Sequence, residues 1–277
     1  FNISFNRNKV LGLAENQTTL LSAVAWDNAY ANTPAYMVKI GNPLGQMYGY
    51  IWEGVYQLSD FNVSSSGVYT LKNGITNNGN TNVQPGDIKY RDINGDGTID
   101  ASDNTIIGNS LPLHVGGFGN NFTYKQFDLN VFLQWSYGND IQNINRFVFE
   151  GNGLNKTYLQ QFESYTDRWS IDNQGSKNYR INGLPSNAAY SSRTIEAGSY
   201  VRLKTVSLGY NFSKNLLKKA SISALRVYVS GQNLFTLTKY KGLDPEVSTY
   251  NTVLTGGFDY SAYPRARTIA FGLNLTL

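Results

Sequence analysis

Several stretches of this chain alternate apolar and polar residues with period two, and only an extended strand turns that pattern into two chemically different faces. From 127 to 135, Phe127, Leu129, Val131, Leu133 and Trp135 share one face, while Asp128, Asn130 and Gln134 share the other. Ile269, Phe271, Leu273, Leu275 and Leu277 oppose Thr268, Ala270, Gly272, Asn274 and Thr276. Leu225, Val227 and Val229 oppose Arg226, Tyr228 and Ser230, and near the start Phe1, Ile3 and Phe5 oppose Asn2, Ser4 and Asn6. The longest of these runs exceed the ~5–6 residues usual in globular strands. Tyr48, Tyr50, Trp52 and Tyr56 form a further aromatic row.

Alternation alone serves a soluble β-sandwich as well as a membrane barrel. Connector lengths separate the two. Lys125-Gln126 joins two strands tightly and residues 213 to 222 make another short link, whereas 58 to 112, 138 to 198 and 237 to 265 are long and rich in Gly, Asn, Ser and Asp. Short turns alternating with long loops are the pattern of an outer-membrane barrel. On this reading the strands near 44–57, 127–137 and 223–236 run outward, and those near 113–124, 199–212 and 266–277 run inward. The stretch 7–43 does not fit this scheme, being long for a periplasmic turn, and its strand parity is left open.

Composition agrees with strands and turns: the 277 residues include 20 Tyr, 14 Phe, 4 Trp and 27 Gly, with 15% charged. No apolar run approaches the ~18 residues of a membrane-spanning helix. The absence of cysteine excludes disulfides and thiol chemistry. A net charge of +4 is spread along the chain, with Lys214, Lys218 and Lys219 as its one local cluster, so nothing points to nucleic acid as a partner.

Residues 92 to 103 read Asp-Ile-Asn-Gly-Asp-Gly-Thr-Ile-Asp-Ala-Ser-Asp. Oxygen-bearing side chains at loop positions 1, 3, 5, 9 and 12, with glycine at 6, match the spacing of an EF-hand calcium loop, because Ca²⁺ collects six to eight oxygens and a curled loop aims alternate side chains inward. Asp92, Asn94, Asp96 and Asp100 are the expected side-chain ligands, Thr98 offers its carbonyl, Gly97 takes the turn, and Ile99 pins the loop. Asp103 stands where the usual loop has a longer, bidentate glutamate. No amphipathic helix flanks the loop, so an ion here organises a loop of another fold. The alternative is an Asx-rich turn that binds nothing.

The chain resembles the SusC/RagA group of TonB-dependent outer-membrane transporters. The likeness rests on Gly45-Gln-Met-Tyr-Gly-Tyr-Ile-Trp-Glu-Gly-Val-Tyr-Gln57, Pro85-Gly-Asp-Ile-Lys-Tyr-Arg-Asp-Ile-Asn-Gly-Asp-Gly-Thr-Ile-Asp100 and Gly116-Gly-Phe-Gly-Asn-Asn-Phe-Thr-Tyr-Lys125. It continues through Tyr137-Gly-Asn-Asp140, Thr166-Asp-Arg-Trp169, Gly198-Ser-Tyr-Val-Arg-Leu-Lys204, Ser230-Gly-Gln-Asn-Leu-Phe235, Gly242-Leu-Asp-Pro-Glu246 and Tyr263-Pro-Arg-Ala-Arg267. The resemblance implies an all-β fold in which residues 1–277 form the C-terminal strands of a 22-stranded antiparallel transmembrane β-barrel with long extracellular loops. It implies that signal peptide, TonB box, plug and early strands lie elsewhere. Gly272-Leu-Asn-Leu-Thr-Leu277 is similar to the barrel-assembly signal, with Leu277 in place of the usual terminal aromatic.

What the resemblance implies in function is import without bond-breaking: an oligosaccharide or peptide is captured under a SusD-like surface lipoprotein and released inward when TonB–ExbB–ExbD acts on the plug. The implied partners are the N-terminal plug and barrel portion, the lipoprotein, outer-membrane lipid and the substrate. Candidates for ligand stacking are Tyr158, Tyr165, Trp169, Tyr190, Tyr250 and Tyr260 on the long loops. His114, the only histidine, is expected to be a polar or girdle residue. Arg265 and Arg267 are expected to reach the outer interface or pair with loop carboxylates, and Asp244-Pro245-Glu246 reads as a loop turn. Rival readings are a secreted, Ca²⁺-stabilised β-sandwich binding module or adhesin, and a passive porin; hydrolysis has least support.

Overall fold

The computed structural model describes residues 1–154, 156–184, 190–218, 222–250 and 252–277. Lys219 of the basic cluster lies outside them. Six strands form one antiparallel sheet in chain order: β1 (Asn2–Phe5), β2 (His114–Tyr124), β3 (Phe127–Tyr137), β4 (Tyr200–Asn211), β5 (Ala224–Thr238) and β6 (Thr268–Thr276). No helix of the described residues is long and apolar enough to cross a membrane.

The register carries the sequence alternation across the whole sheet. Phe127, Leu129, Val131, Leu133 and Trp135 of β3 stand opposite Tyr210, Leu208, Val206, Leu203 and Val201 of β4. These face Val227, Val229, Gly231, Phe235 and Leu237 of β5, and Leu273, Phe271 and Ile269 of β6 complete the row. The apolar side chains lie in the open: Phe271 is 84% exposed, Leu237 64% and Phe118 42%. A sandwich buries such a face against a second sheet; among the described residues no second sheet covers it, which is the pattern of a lipid-facing sheet. The opposite face is polar, with Asp128 pairing Arg226 at 2.5 Å across β4 and Gln134, Arg202 and Thr236 side by side.

Turn chemistry is local. Lys125 closes the β2–β3 hairpin at φ +53°, and Lys214–Leu217 forms a helical turn in the β4–β5 link with Leu217 buried. The three long connections leave the other end of the sheet. Their extent corrects the strand assignment made from sequence. Residues 44–57 are not an outward barrel strand: Gln46–Gly49 pairs with Pro34–Lys39 and Thr105–Asn109, and Trp52–Val55 pairs with Ile88–Tyr90. The neighbour of β2 is β1, with Phe5 opposite His114. Residues 6–113 are therefore a single connection, and 7–43 belong to it. The alternation of Tyr48, Tyr50, Trp52 and Tyr56 serves a protein core instead, where Tyr50 and Tyr56 are buried.

The three connections fold together as one packed body. One core joins Tyr36 and Met47 of the first connection, Ile144, Phe147, Val148 and Tyr190 of the second and Phe258 of the third. Asp140–Asn143 is sandwiched between Ile195–Ala197 and Phe258–Asp259, so the second and third connections share a small sheet. Tyr50 N–H donates to Tyr190 O and Ser192 N–H to Tyr50 O, both at 2.9 Å, which stitches the first connection to the second. Gly86, at φ +85°, lets Trp169 lie flat on the backbone where a Cβ would collide with the indole.

Candidate functional site

Three features of this outward body bear on function: the 92–103 loop, an ionic anchor at its base, and its aromatic residues.

Gly95 N–H and Gly97 N–H donate to the two carboxylate oxygens of Asp92 at 2.6 and 2.8 Å, and both glycines take left-handed φ. Asp96 N–H reaches Asn94 Oδ1 at 3.0 Å, and Thr98 N–H reaches Asp96 Oδ1 at 2.8 Å. The hydrogen bond from Gly97 above all, with those from Gly95 and Thr76, holds the Asp92 carboxyl below the usual carboxylate range. Asp103, fully buried, accepts Ile93 N–H and Asp100 N–H on its two oxygens and so latches the ends of the loop together. Ile99 is buried among Tyr50, Tyr90 and Trp169, the pinning role its sequence position suggests. Among the described residues no three His, Cys, Asp or Glu side chains stand together as a preformed metal site. Each Asx oxygen that accepts one N–H keeps a second lone pair, so the loop's donor chemistry, oxygen throughout, is of the kind that a hard cation such as Ca²⁺ takes.

The anchor went unread in the sequence. Arg202, on the polar face of β4 and 3% exposed at its side chain, donates to Asp244 Oδ1 and Glu246 Oε2, both at 2.6 Å, and to Thr236 Oγ1 at 2.9 Å. Glu246 Oε2 is shared with Lys204 at 3.1 Å and Arg265 at 2.9 Å. Burial alone pushes the Asp244 carboxyl up, but hydrogen bonds from Arg202, Glu246 N–H and Arg265 N–H outweigh it and hold the group below 3.8. The Asp-Pro-Glu turn is thus clamped onto the sheet's polar wall, and Arg265 pairs with a loop carboxylate as one of its two expected roles. The signal that could have revealed the clamp is a pair of cations, Arg202 and Lys204, in a strand otherwise apolar on alternate positions.

The expected ligand aromatics separate. Trp169 and Tyr190 are buried core residues, and Trp26 Nε1–H donates to the Tyr190 hydroxyl at 2.9 Å. Tyr250 and Tyr260 pack against the first core. Tyr165 lies beneath Arg168 at 5.2 Å, which leaves Tyr158, 99% exposed, as the free one. His114 sits at the sheet's outer rim, accepting from Trp135 Nε1–H at 3.1 Å and stacked on Tyr137, in an aromatic row with Phe1 and Phe5.

A long-stranded antiparallel sheet with an uncovered apolar face, tight turns at one end and a folded cap of loops at the other defines the class: a segment of a transmembrane β-barrel. No family model matches the chain. It is 33% identical to TonB-dependent receptor P3 of Formosa agariphila, over 99% of this chain and 26% of that protein. It is 27% identical to TonB-dependent receptor SusC of Bacteroides thetaiotaomicron, over 99% of this chain and 24% of that protein. The RagAB peptide transporter structure shares the fold with a TM-score of 0.69 at 19% identity, over 99% of this chain and 26% of that one. The chain belongs with the TonB-dependent receptors, and it shares its fold with RagAB. It spans about a quarter of the length of these relatives, which are receptors and a transporter.

Proposed function

We propose that these residues are the C-terminal part of a 22-stranded outer-membrane barrel that imports oligosaccharides or peptides by TonB-dependent transport. One observation carries the reading: all three long connections gather on one side of a sheet whose apolar face is uncovered, and they fold into a single cap. A cap so built presents a rigid outer surface to a substrate and to a SusD-like lipoprotein lid, while a plug domain elsewhere in the receptor couples to TonB–ExbB–ExbD. The sandwich module is not favoured, because its sheets need partners that this apolar face lacks.

Affinity purification of the complete receptor from detergent-solubilised outer membrane tests the reading. Recovery of a lipoprotein lid, with loss of substrate uptake when the plug's TonB-contacting segment is deleted, is the expected result. Uptake that persists without that segment points to a passive pore.

The same reading includes a Ca²⁺ ion held by Asp92, Asn94, Asp96, Asp100 and the Thr98 carbonyl, with Asp103 as the latch behind them. What supports it is the ligand spacing and the exposed position of the loop in the outward body, where extracellular Ca²⁺ is abundant. Its role is structural, stiffening the cap. Calorimetric titration of the complete receptor with CaCl₂ tests it: saturable binding that Asp92→Asn and Asp96→Asn together abolish is expected, and identical heats from both proteins sink it.

A further inference from the structure

The sheet's apolar face is not uniform. Trp135 donates its indole N–H to His114 on β2 and stacks on Phe1 of β1 at 5.7 Å, so the ring leans toward the β1–β2 side. Across β3 the facing positions on β4 and β5 hold the shorter Val201 and Leu237. The lean and the size difference leave a groove of about 510 Å³, floored by Val201 and Leu237, walled by Trp135 and Tyr137 and bounded at the rim by Ser199 and Lys239. Among the described residues no carboxylate lines it. Lys239 is exposed and makes no ion pair among the described residues. Ser199 Oγ accepts Gly138 N–H at 2.9 Å, which leaves its hydroxyl proton free to donate.

The geometry points to a site for one phosphorylated lipid of the outer leaflet, its acyl chain on Val201 and Leu237 and its phosphate against the Lys239 ammonium and the Ser199 hydroxyl. Two arguments select this occupant. The groove interrupts the face that meets lipid, between strands that are all paired within this chain, so no further barrel strand covers it. Its rim offers donors and a cation without an acid, the complement of an anionic headgroup at the level where basic and aromatic side chains meet the interface. The inference rests on the membrane placement proposed above and adds an ordered, headgroup-selective partner to it.

The test uses the complete receptor, delipidated in detergent and followed by native mass spectrometry during titration with a diphosphorylated lipid A, with phosphatidylethanolamine and with inorganic phosphate. The expected result is a lipid A adduct at about fivefold lower concentration than the phosphatidylethanolamine adduct, since one basic side chain near the interface is worth about 1 kcal/mol. Lys239→Glu removes the preference, and Leu237→Trp, which fills the floor, removes the adduct. Equal adducts from both lipids, an unchanged preference in Lys239→Glu, or inorganic phosphate binding as tightly as lipid A overturns the site. Quenching of Trp135 by brominated phospholipid, read against Trp135→Phe, tests the membrane placement separately: no quenching by any lipid removes both.

Discussion

The six-stranded sheet and the outward body are built from the same kinds of residue and treat them in opposite ways. Phe271, Leu237 and Phe235 of the sheet stand 60% exposed or more, whereas Tyr36, Met47 and Phe258 of the connections are fully buried. In the sheet polar side chains turn inward, as with Asp128 and Arg226; in the connections they ring the cores and the surface. The difference teaches that hydrophobic patterning reports a boundary between media without saying which medium lies beyond it. One region is an apolar surface awaiting lipid, the other a water-facing domain with its own core.

The comparison can be broken at the point where the two regions join. Arg202→Met leaves Asp244 and Glu246 desolvated without their main cation, and should cost about 3–5 kcal/mol, the range for an uncompensated buried charge. The measurement is guanidinium unfolding of the complete receptor, with limited proteolysis reporting release of residues 239–267; an unchanged midpoint removes the anchor from the account. Next in size is a pair that sharpens the contrast of faces. Val229→Arg, on the apolar face, should cost about 2–4 kcal/mol if it lies near the bilayer midplane, while Ser230→Arg on the polar face should cost far less. Equal effects would mean that the apolar face does not meet lipid.

Within the cap, Tyr36→Phe removes the hydroxyl that donates to Gly256 O at 2.7 Å and ties the first connection to the third, with an expected loss of about 1 kcal/mol. Hydrogen exchange at 250–260 should rise with it, and exchange that stays flat there dissociates the two connections. The smallest effect is that of acid. Because the folded Asp244 carboxyl lies below its ordinary 3.8, its contribution is present in full above that pH and fades as pH falls through the folded value. Proteolysis of the 239–267 connection should therefore begin only below about pH 4, and the acid sensitivity should vanish in Asp244→Asn.

Much of this was legible beforehand because period-two alternation is a local property. The apolar sets on β3, β5 and β6, the tight Lys125-Gln126 turn and the long connections read at 138–198 and 237–265 all follow from which neighbour stands two residues away. The row Tyr48, Tyr50, Trp52 and Tyr56 misled for the same reason: a core inside the cap and a lipid bilayer ask for the same apolar positions. Strand β1 is four residues long, too short for its alternation to reveal that its sheet partner lies more than a hundred residues on. The ionic anchor stayed hidden because Asp244, Glu246 and Arg202 come from separate parts of the chain and only folding brings them together.

By itself, then, the amino-acid sequence determined the strand class, the apolar face and the Asx-rich loop at 92–103, since each depends on spacing within a dozen residues. Tertiary structure alone decided that 6–113 is a single connection, that Trp169 and Tyr190 are core residues and that Arg202 clamps the third loop. Those outcomes turn on contacts between segments far apart in the chain, which local spacing does not encode.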